Sequence, residues 1–385
     1  MSRITTEEVR NQILSLVREF VRRDVEPVAS RFDNEDLYPQ DIVEKMKDMG
    51  LFGITIPEKY GGLGLDHTTY AMIFEELSKG WMSITGIIGS HHMMSTIIVS
   101  HGTEEQRRKF LPGMASGDIR GGLALTEPDA GSDVQAIQTV AVQDGDEYVI
   151  TGNKMFITNA VKGNAYAVIA KTDTQANPPY RGISCFIVQK PIDGLTVGRK
   201  LDKLGYRGVD TAELIFDECR VSPANLIGGE EGYGFPQLMR GLEVGRVQIA
   251  ARAIGVASAA FDASIKYAKR RKTFGKPISD HQAIQLKLAD MATKIKAARL
   301  LMLDASTTLD SGKRADLEAG MAKLFSTEIC QEVTLDALRI HGGYGYIKEY
   351  PVERYYRDAP LMIIGEGTNE IQRIIIARRL LDMYD

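Results

Sequence analysis

A chain of 385 residues is too long for one small domain and divides into two or three. With 44% hydrophobic and 25% charged residues it has the composition of an ordinary soluble globular protein, and no run approaches the length of a membrane span. The net charge of -4 excludes a general bias toward nucleic acid or anionic membrane.

The chain opens helically. Thr5 and Glu8 read as a capping box, with Val9, Ile13, Leu16, Val17 and Phe20 on one apolar face. A second helix carries Ile42, Val43, Met46 and Met49 and stops at Gly50. A turn runs from Pro57 to Gly64, and helices resume over Thr68 to Gly80 and Ser83 to His101. Thr103 with Gln106 caps a further helix that is expected to end near Pro112. Trp81 reads as core or interface filler.

From Gly121 the pattern changes to short strands over 137–142, 147–151, 166–171, 183–188 and 212–216. Asp144-Gly145 and Gly152-Asn153 are the turn signals between them. Near Gly232 the helical period returns. Ile284, Leu288, Met291, Ile295, Ala298 and Met302 form a bundle seam, and Asp310-Ser311-Gly312 and Gly342-Gly343 break the region into long antiparallel helices. The expected fold is mostly α with a central β-domain. A helical N-terminal domain (1–120) precedes an antiparallel barrel or sandwich (121–230) and a C-terminal four-helix bundle (231–385).

No dinucleotide fingerprint or P-loop occurs. Cys185, Cys219 and Cys330 match no metal spacing and read as reduced thiols. With no apolar signal core in Met1 to Glu8, a cytoplasmic enzyme is expected.

The stretch Pro360 to Arg373 organises the rest. Glu366 stands between Gly365 and Gly367, just before a helix that Asn369 and Gln372 are expected to cap. Ile371, Ile374, Ile375 and Leu380 would be its buried stripe. Free N–H groups at the helix start favour an ionised carboxylate, and an apolar ligand over it would raise its pKa. Such a carboxylate is suited to removing a proton; the bland alternative is a solvated loop glutamate. Four other stretches carry weaker signals: Leu123 to Asp133, Lys154 to Ala160, Arg270 to Gly275, and His341 to Tyr346. Taken singly, these read equally as a loop, a core aromatic, a solvated helix end and a glycine turn.

Thr126-Glu127-Pro128-Asp129-Ala130-Gly131-Ser132-Asp133, Phe156-Ile157-Thr158-Asn159, Arg271-Lys272-Thr273-Phe274-Gly275, the Gly342-Gly343 turn and Glu366-Gly367-Thr368 stand in one order. In that order the chain, from Thr6 to Leu381, resembles the acyl-CoA dehydrogenase family. The resemblance implies FAD, an acyl-CoA substrate, an electron-transferring flavoprotein as electron acceptor and a homotetramer. It implies that Leu125, Thr126 and Ser132 contact the flavin, and that Phe156, Ile157 and Thr158 lie along its ring. It assigns Arg271, Thr273, Phe274 and Gln282 to FAD of the adjacent subunit, and Arg339, Gly342, Gly343, Thr368 and Glu370 to the adenine side. Ser132, Glu243, Arg246 and Gly367 would face the acyl-CoA. Asp129, Phe156 and Arg339 depart from the commonest family pattern, and Arg339 puts its own contact in doubt.

The resemblance implies that Glu366 takes the α-proton while the β-hydrogen leaves for the flavin. Gly245 stands where some relatives carry the base instead. Gly365 stands where straight-chain members commonly carry tyrosine, which implies room for a branched or ring-bearing acyl group. His91 and His92 either line the acyl pocket or are packed helix residues. Two other classes compete: a flavin oxidase or monooxygenase on the same scaffold, and a non-catalytic helical interaction protein.

Overall fold

The computed structural model describes residues 4–384. Helix α1 (Glu7–Phe20) is capped one residue later than expected, by Thr6, whose hydroxyl accepts from Val9 N at 3.4 Å. Thr5 N instead donates to Asp66 at 2.8 Å. Leu14, Val17 and Phe20 are buried, whereas Val9 and Leu16 face out. The stripe continues through a single π-helical turn at Val21–Val25 into α2 (Glu26–Asn34). Helix α3 (Gln40–Asp48) buries Ile42, Val43 and Met46, and Gly50 at φ 71° ends its turn.

Helix α4 (His67–Gly80) is capped by Asp66, and α5 (Met82–His101) is enclosed on nearly every side. Helix α6 (Glu104–Ser116) has the expected capping box: Thr103 Oγ1 accepts from Gln106 N, and Gln106 Oε1 from Thr103 N. It passes through Pro112 and ends at Ser116 instead of stopping there.

The middle section is a seven-stranded sheet: β1 (Gly121–Ala124), β2 (Val140–Asp144), β3 (Glu147–Thr158), β4 (Ala165–Lys171), β5 (Ile183–Gln189), β6 (Leu195–Val197) and β7 (Thr211–Val221). Strand β4 pairs in parallel with β1 and β2, and the other pairings are antiparallel. The expected antiparallel barrel or sandwich is therefore a mixed sheet. Parallel pairing needs long crossovers and leaves no local turn signal. The Asp144-Gly145 turn closes the β2–β3 hairpin, with Asp144 opposite Glu147. Gly152-Asn153 is not a turn; Gly152 lies inside β3 at a register shift, where a Cβ would meet Thr139 Oγ1 at 2.6 Å.

Helix α7 (Gly234–Arg270) leads to the small hairpin β8 (Lys272–Thr273) and β9 (Lys276–Pro277), then α8 (Gln282–Asp310), α9 (Asp316–His341), α10 (Val352–Ile364) and α11 (Asn369–Asp382). Helices α7, α8 and α9 pack on one another, and α10 and α11 pack against α9. Met291, Ile295, Ala298 and Met302 are buried along the expected seam. The Ala- and Gly-rich centre of α7 lets α4, α5, α9 and α10 approach it closely. Two details of α11 differ. Thr368 is the cap, accepting from Ile371 N at 3.3 Å, and Asn369 is a buried first residue. The Ile371-to-Leu380 stripe is not buried within the chain: Ile374 is 46% exposed and Leu380 39%. Among the described residues no helix is long and apolar enough to cross a membrane.

Candidate active site

Glu366 is held by a chain reversal between α10 and α11. Both Glu366 (φ 58°) and Gly367 (φ 83°) are left-handed, which for a non-glycine residue requires outside support. Lys323, fully buried on α9, supplies it. Its Nζ donates to Ile363 O and Gly367 O at 2.9 Å and to Asn369 Oδ1 at 2.7 Å, so one ammonium grips both sides of Glu366. Gln372 Nε2 donates to Gly367 O at 3.2 Å from within α11.

The Glu366 residue is half-buried as a whole, yet its Oε2 is shut from solvent with no hydrogen-bond partner. Burial raises the carboxyl pKa, and the cations of Arg252, Lys323 and Arg246 pull it back. The helix N-terminus expected to favour the ionised form is taken by the Thr368 hydroxyl, so side-chain cations do that work. The carboxylate lies against α7 at Gly245, where a Cβ would stand 2.5 Å from Oε2 and 3.2 Å from Met93 Sδ.

The acyl-facing candidates divide. Arg246, next to Gly245, is 5% exposed with an unpartnered Nε, whereas Glu243 accepts from Arg240 Nη1 at 3.0 Å. Gly367 is part of the reversal, and Ser132 is exposed on the loop after β1.

The flavin-ring candidates meet where β1 and β3 run out. Met155 N donates to Thr126 O at 2.7 Å, and the buried Lys154 Nζ donates to Glu127 Oε1 at 2.7 Å and Leu125 O at 3.1 Å. The two motif stretches are thus one unit, with Glu127 as its anchor. Phe156 at φ 61° turns its ring out, 62% exposed, and Thr158 is half-buried. The Ile157 side chain points the other way into the sheet core, so only its backbone is available to a ligand.

Arg271, Thr273, Gly342 and Gly343 line one cavity of about 460 Å³, with His341 and Tyr344. Nothing lies within 4 Å of where a Cβ would be on Gly342 or Gly343, which leaves bare backbone, and Phe274 beside it is 96% exposed. A cation, glycine backbone and an open aromatic fit a pyrophosphate joined to a planar base. Gln282 is exposed at the start of α8, and Thr368 spends its hydroxyl on capping. Glu370 is exposed on the first turn of α11. Arg339 faces solvent and donates to Asp336 at 3.3 Å. Among the described residues no cluster of His, Cys, Asp or Glu could hold a metal ion.

His91 and His92 are packed residues. His91 Nε2 meets Phe52 O at 3.0 Å and its Nδ1 accepts from Gly121 N at 3.1 Å, while His92 Nε2 meets Leu51 O at 3.0 Å. Burial pushes them down to about 4 and about 3, so both are neutral. Trp81 is fully buried, stacked on Phe32.

Residues the sequence reading missed stand around Glu366. Arg252 on α7 donates from Nη2 to Thr85 O at 2.9 Å and Gln248 Oε1 at 3.2 Å. Gln248 accepts from Tyr70 OH at 3.2 Å and donates to Gly89 O at 3.3 Å. Lys323 had a detectable signal: it falls in a 3–4 spacing with the buried Ala319, Ser326 and Cys330.

Three family models cover the chain: acyl-CoA dehydrogenase N-terminal domain over residues 6–118, middle domain over 122–219 and C-terminal domain over 232–381. An acyl-CoA dehydrogenase of Bacillus subtilis is 44% identical over 98% of this chain and 99% of its own length. A 3-(aryl)acrylate reductase of Clostridium sporogenes is 43% identical over 97% and 99%. A chain solved in work on the electron transferring flavoprotein of Acidaminococcus fermentans and flavin-based electron bifurcation superposes with a TM-score of 0.95 at 42% identity, covering 99% of this chain and 100% of that one.

Proposed function

The chain belongs to the acyl-CoA dehydrogenase family of FAD-dependent oxidoreductases, and on that premise we propose that it removes the α-proton of an acyl-CoA thioester with Glu366 to form the trans-2-enoyl thioester. The observation that carries this reading is the Glu366 carboxylate: buried, unpartnered at Oε2, with its pKa raised, and locked in place by Lys323. A base with a pKa above the ordinary carboxylate range takes a weakly acidic proton more readily.

FAD, when bound, is the acceptor of the β-hydrogen. Thr126, Phe156 and Thr158 would hold the ring of the FAD bound in this subunit, Arg271, Thr273 and Phe274 the pyrophosphate and adenosine of the FAD bound by the adjacent one, and Gly342 and Gly343 would complete the adenine side. The backbone N–H of Glu366 would donate to the thioester oxygen as negative charge develops there. Arg246 and Met93 close the space beside Gly245 and keep water from the reacting carbons.

Electrons would then pass to an electron-transferring flavoprotein, in line with the Acidaminococcus neighbour. We assign a homotetramer in which Arg271 reaches FAD held by the adjacent subunit. Support comes from the exposed Phe274, Tyr346, Ile374 and Leu286, apolar surface that a second copy would cover. The three buried free thiols fit a cytoplasmic, reducing setting. The Clostridium relative favours a second reading on the same residues, in which Glu366 returns a proton to the α-carbon of a 2-enoyl group.

The test is anaerobic titration of the purified yellow protein with acyl-CoA thioesters, alongside Glu366→Gln. Bleaching by wild type is expected, with turnover in the variant reduced ~10²–10⁴-fold and FAD and thioester binding kept. A colourless protein that FAD does not reconstitute, or a variant within a few-fold of wild type, would overturn the reading.

A further inference from the structure

Arg252 is 4% exposed, yet no carboxylate stands within 4 Å of it among the described residues, and its Nε has no partner. Its contacts are neutral: Thr85 O, Gln248 Oε1 and the face of Phe74 at 5.8 Å. A buried guanidinium with no carboxylate in direct contact is uncommon; the Glu366 carboxylate compensates it only through space, which leaves its N–H groups without an anionic hydrogen-bond acceptor.

The surroundings are built to admit it. On α5, Gly86 and Gly89 stand one turn apart. A Cβ on Gly89 would lie 1.8 Å from Arg252 Nη2, and one on Gly86 would lie 1.6 Å from the Tyr206 hydroxyl. Two helix-interior glycines thus make room for a cation and a phenol, at a cost in helix propensity. Gly245, Gln248 and Arg252 follow a 3–4 spacing on one face of α7. Arg252 therefore sits about 10 Å along the helix from the point that Glu366 touches. Glu366 Oε2 is itself unpartnered. Along the same face of α7 the Glu366 carboxylate thus stands at one level and the Arg252 cation two turns on, with Gln248 between them and no direct ion pair joining the two.

We propose that Arg252 binds a carboxylate at the far end of the acyl group, so that the preferred substrates are CoA monothioesters of dicarboxylic acids. This rests on the dehydrogenation proposed above and adds nothing to its balance: the α-proton goes to Glu366, the β-hydrogen goes to FAD, and the distal carboxylate is unchanged. Tyr70, whose hydroxyl donates to Gln248 Oε1 at 3.2 Å, and Tyr206, whose hydroxyl faces Gly86, stand beside the same stretch of α7.

The test pairs thioesters of equal chain length: butyryl with succinyl, pentanoyl with glutaryl, hexanoyl with adipoyl. Flavin bleaching gives kcat/KM, and calorimetry gives the dissociation constant. At least one carboxylated member is expected to exceed its plain partner by roughly 10²-fold in kcat/KM and in affinity. Arg252→Gln should remove the difference in affinity between the two members of each pair, while the shift in the Glu366 acid limb is common to both. Plain thioesters equal to or better than every carboxylated partner in wild type overturn the proposal, whether or not the variant folds. If no thioester of either kind bleaches the flavin, the dehydrogenation reading fails. Calorimetry then still decides on Arg252, since equal binding of both members of each pair rejects it.

Discussion

Gly245 and Glu366 occupy the same place from two directions: a Cβ on residue 245 would stand 2.5 Å from Glu366 Oε2. The carboxylate on the α10–α11 reversal lies against the hydrogen that α7 presents there, and a side chain at 245 would make it shift. An acid on α7 at this position and one on the reversal would compete for the same space.

Gly245→Ala should separate stability from turnover. Alanine in a helix interior is favoured over glycine by about 1 kcal/mol, so the melting temperature should hold or rise. The displaced carboxylate should cost kcat on the order of 10²-fold. Activity within a few-fold of wild type would show that Glu366 finds an equivalent position.

The pH dependence follows from the raised pKa of Glu366. The base works ionised, so kcat/KM falls as pH drops through its pKa, and burial places that fall above the usual 4.5. The Arg252 charge opposes the shift most strongly, so Arg252→Gln should move the acid limb to higher pH. An acid limb at or below 4.5 in the wild type, or an unmoved limb in the variant, would contradict the assignment.

Lys323→Met should loosen the reversal while leaving the FAD cavity intact. Three acceptors lose one donor, an expected loss of about 1–3 kcal/mol. Turnover should fall, and the acid limb should rise because the ammonium no longer stabilises the carboxylate. A variant with lower stability but an unmoved limb would make Lys323 a packing residue only.

Gly365→Tyr tests the width of the pocket beside the reacting carbons. A Cβ there meets only Leu361 O, at 3.2 Å, and no side chain lies within 4 Å of that point. Wild type should accept isobutyryl-, 2-methylbutyryl-, isovaleryl- or cyclohexanecarboxyl-CoA at least as well as butyryl-CoA, and the variant should lose the bulkier groups about 10-fold or more. An unchanged ranking would clear Gly365 of any role in selection.

What the sequence showed depended on how local the cause was. The Thr103–Gln106 box and the α8 seam are set by neighbours three or four residues apart, and both were readable. Strand β1, Gly-Gly-Leu-Ala, has no period of its own and exists because β4 lies beside it. Gly152 resembled a turn because glycine serves bulges and turns alike. Glu366 was identifiable from its glycines and the following helix. Lys323 could have been found from its place on the buried stripe of α9, but Arg252 could not, since a cation in a helix reads as solvent-facing until what lies beside it is known.

The bond between β1 and α5 bears on what counts as a separable part of this chain. Leu123 N donates to Ser90 Oγ at 3.2 Å and Gly121 N to His91 Nδ1 at 3.1 Å, while Asn159 Nδ2 donates both to Gly121 O at 3.0 Å and to Ile87 O at 2.8 Å. A fragment cut near residue 120 would strip α5 of these partners and uncover its apolar side. During synthesis the first hundred residues therefore gain their final packing only after Asn159 and β4 have left the ribosome. The sheet works as the keystone of the helical section before it, although the two are distinct segments in sequence comparison.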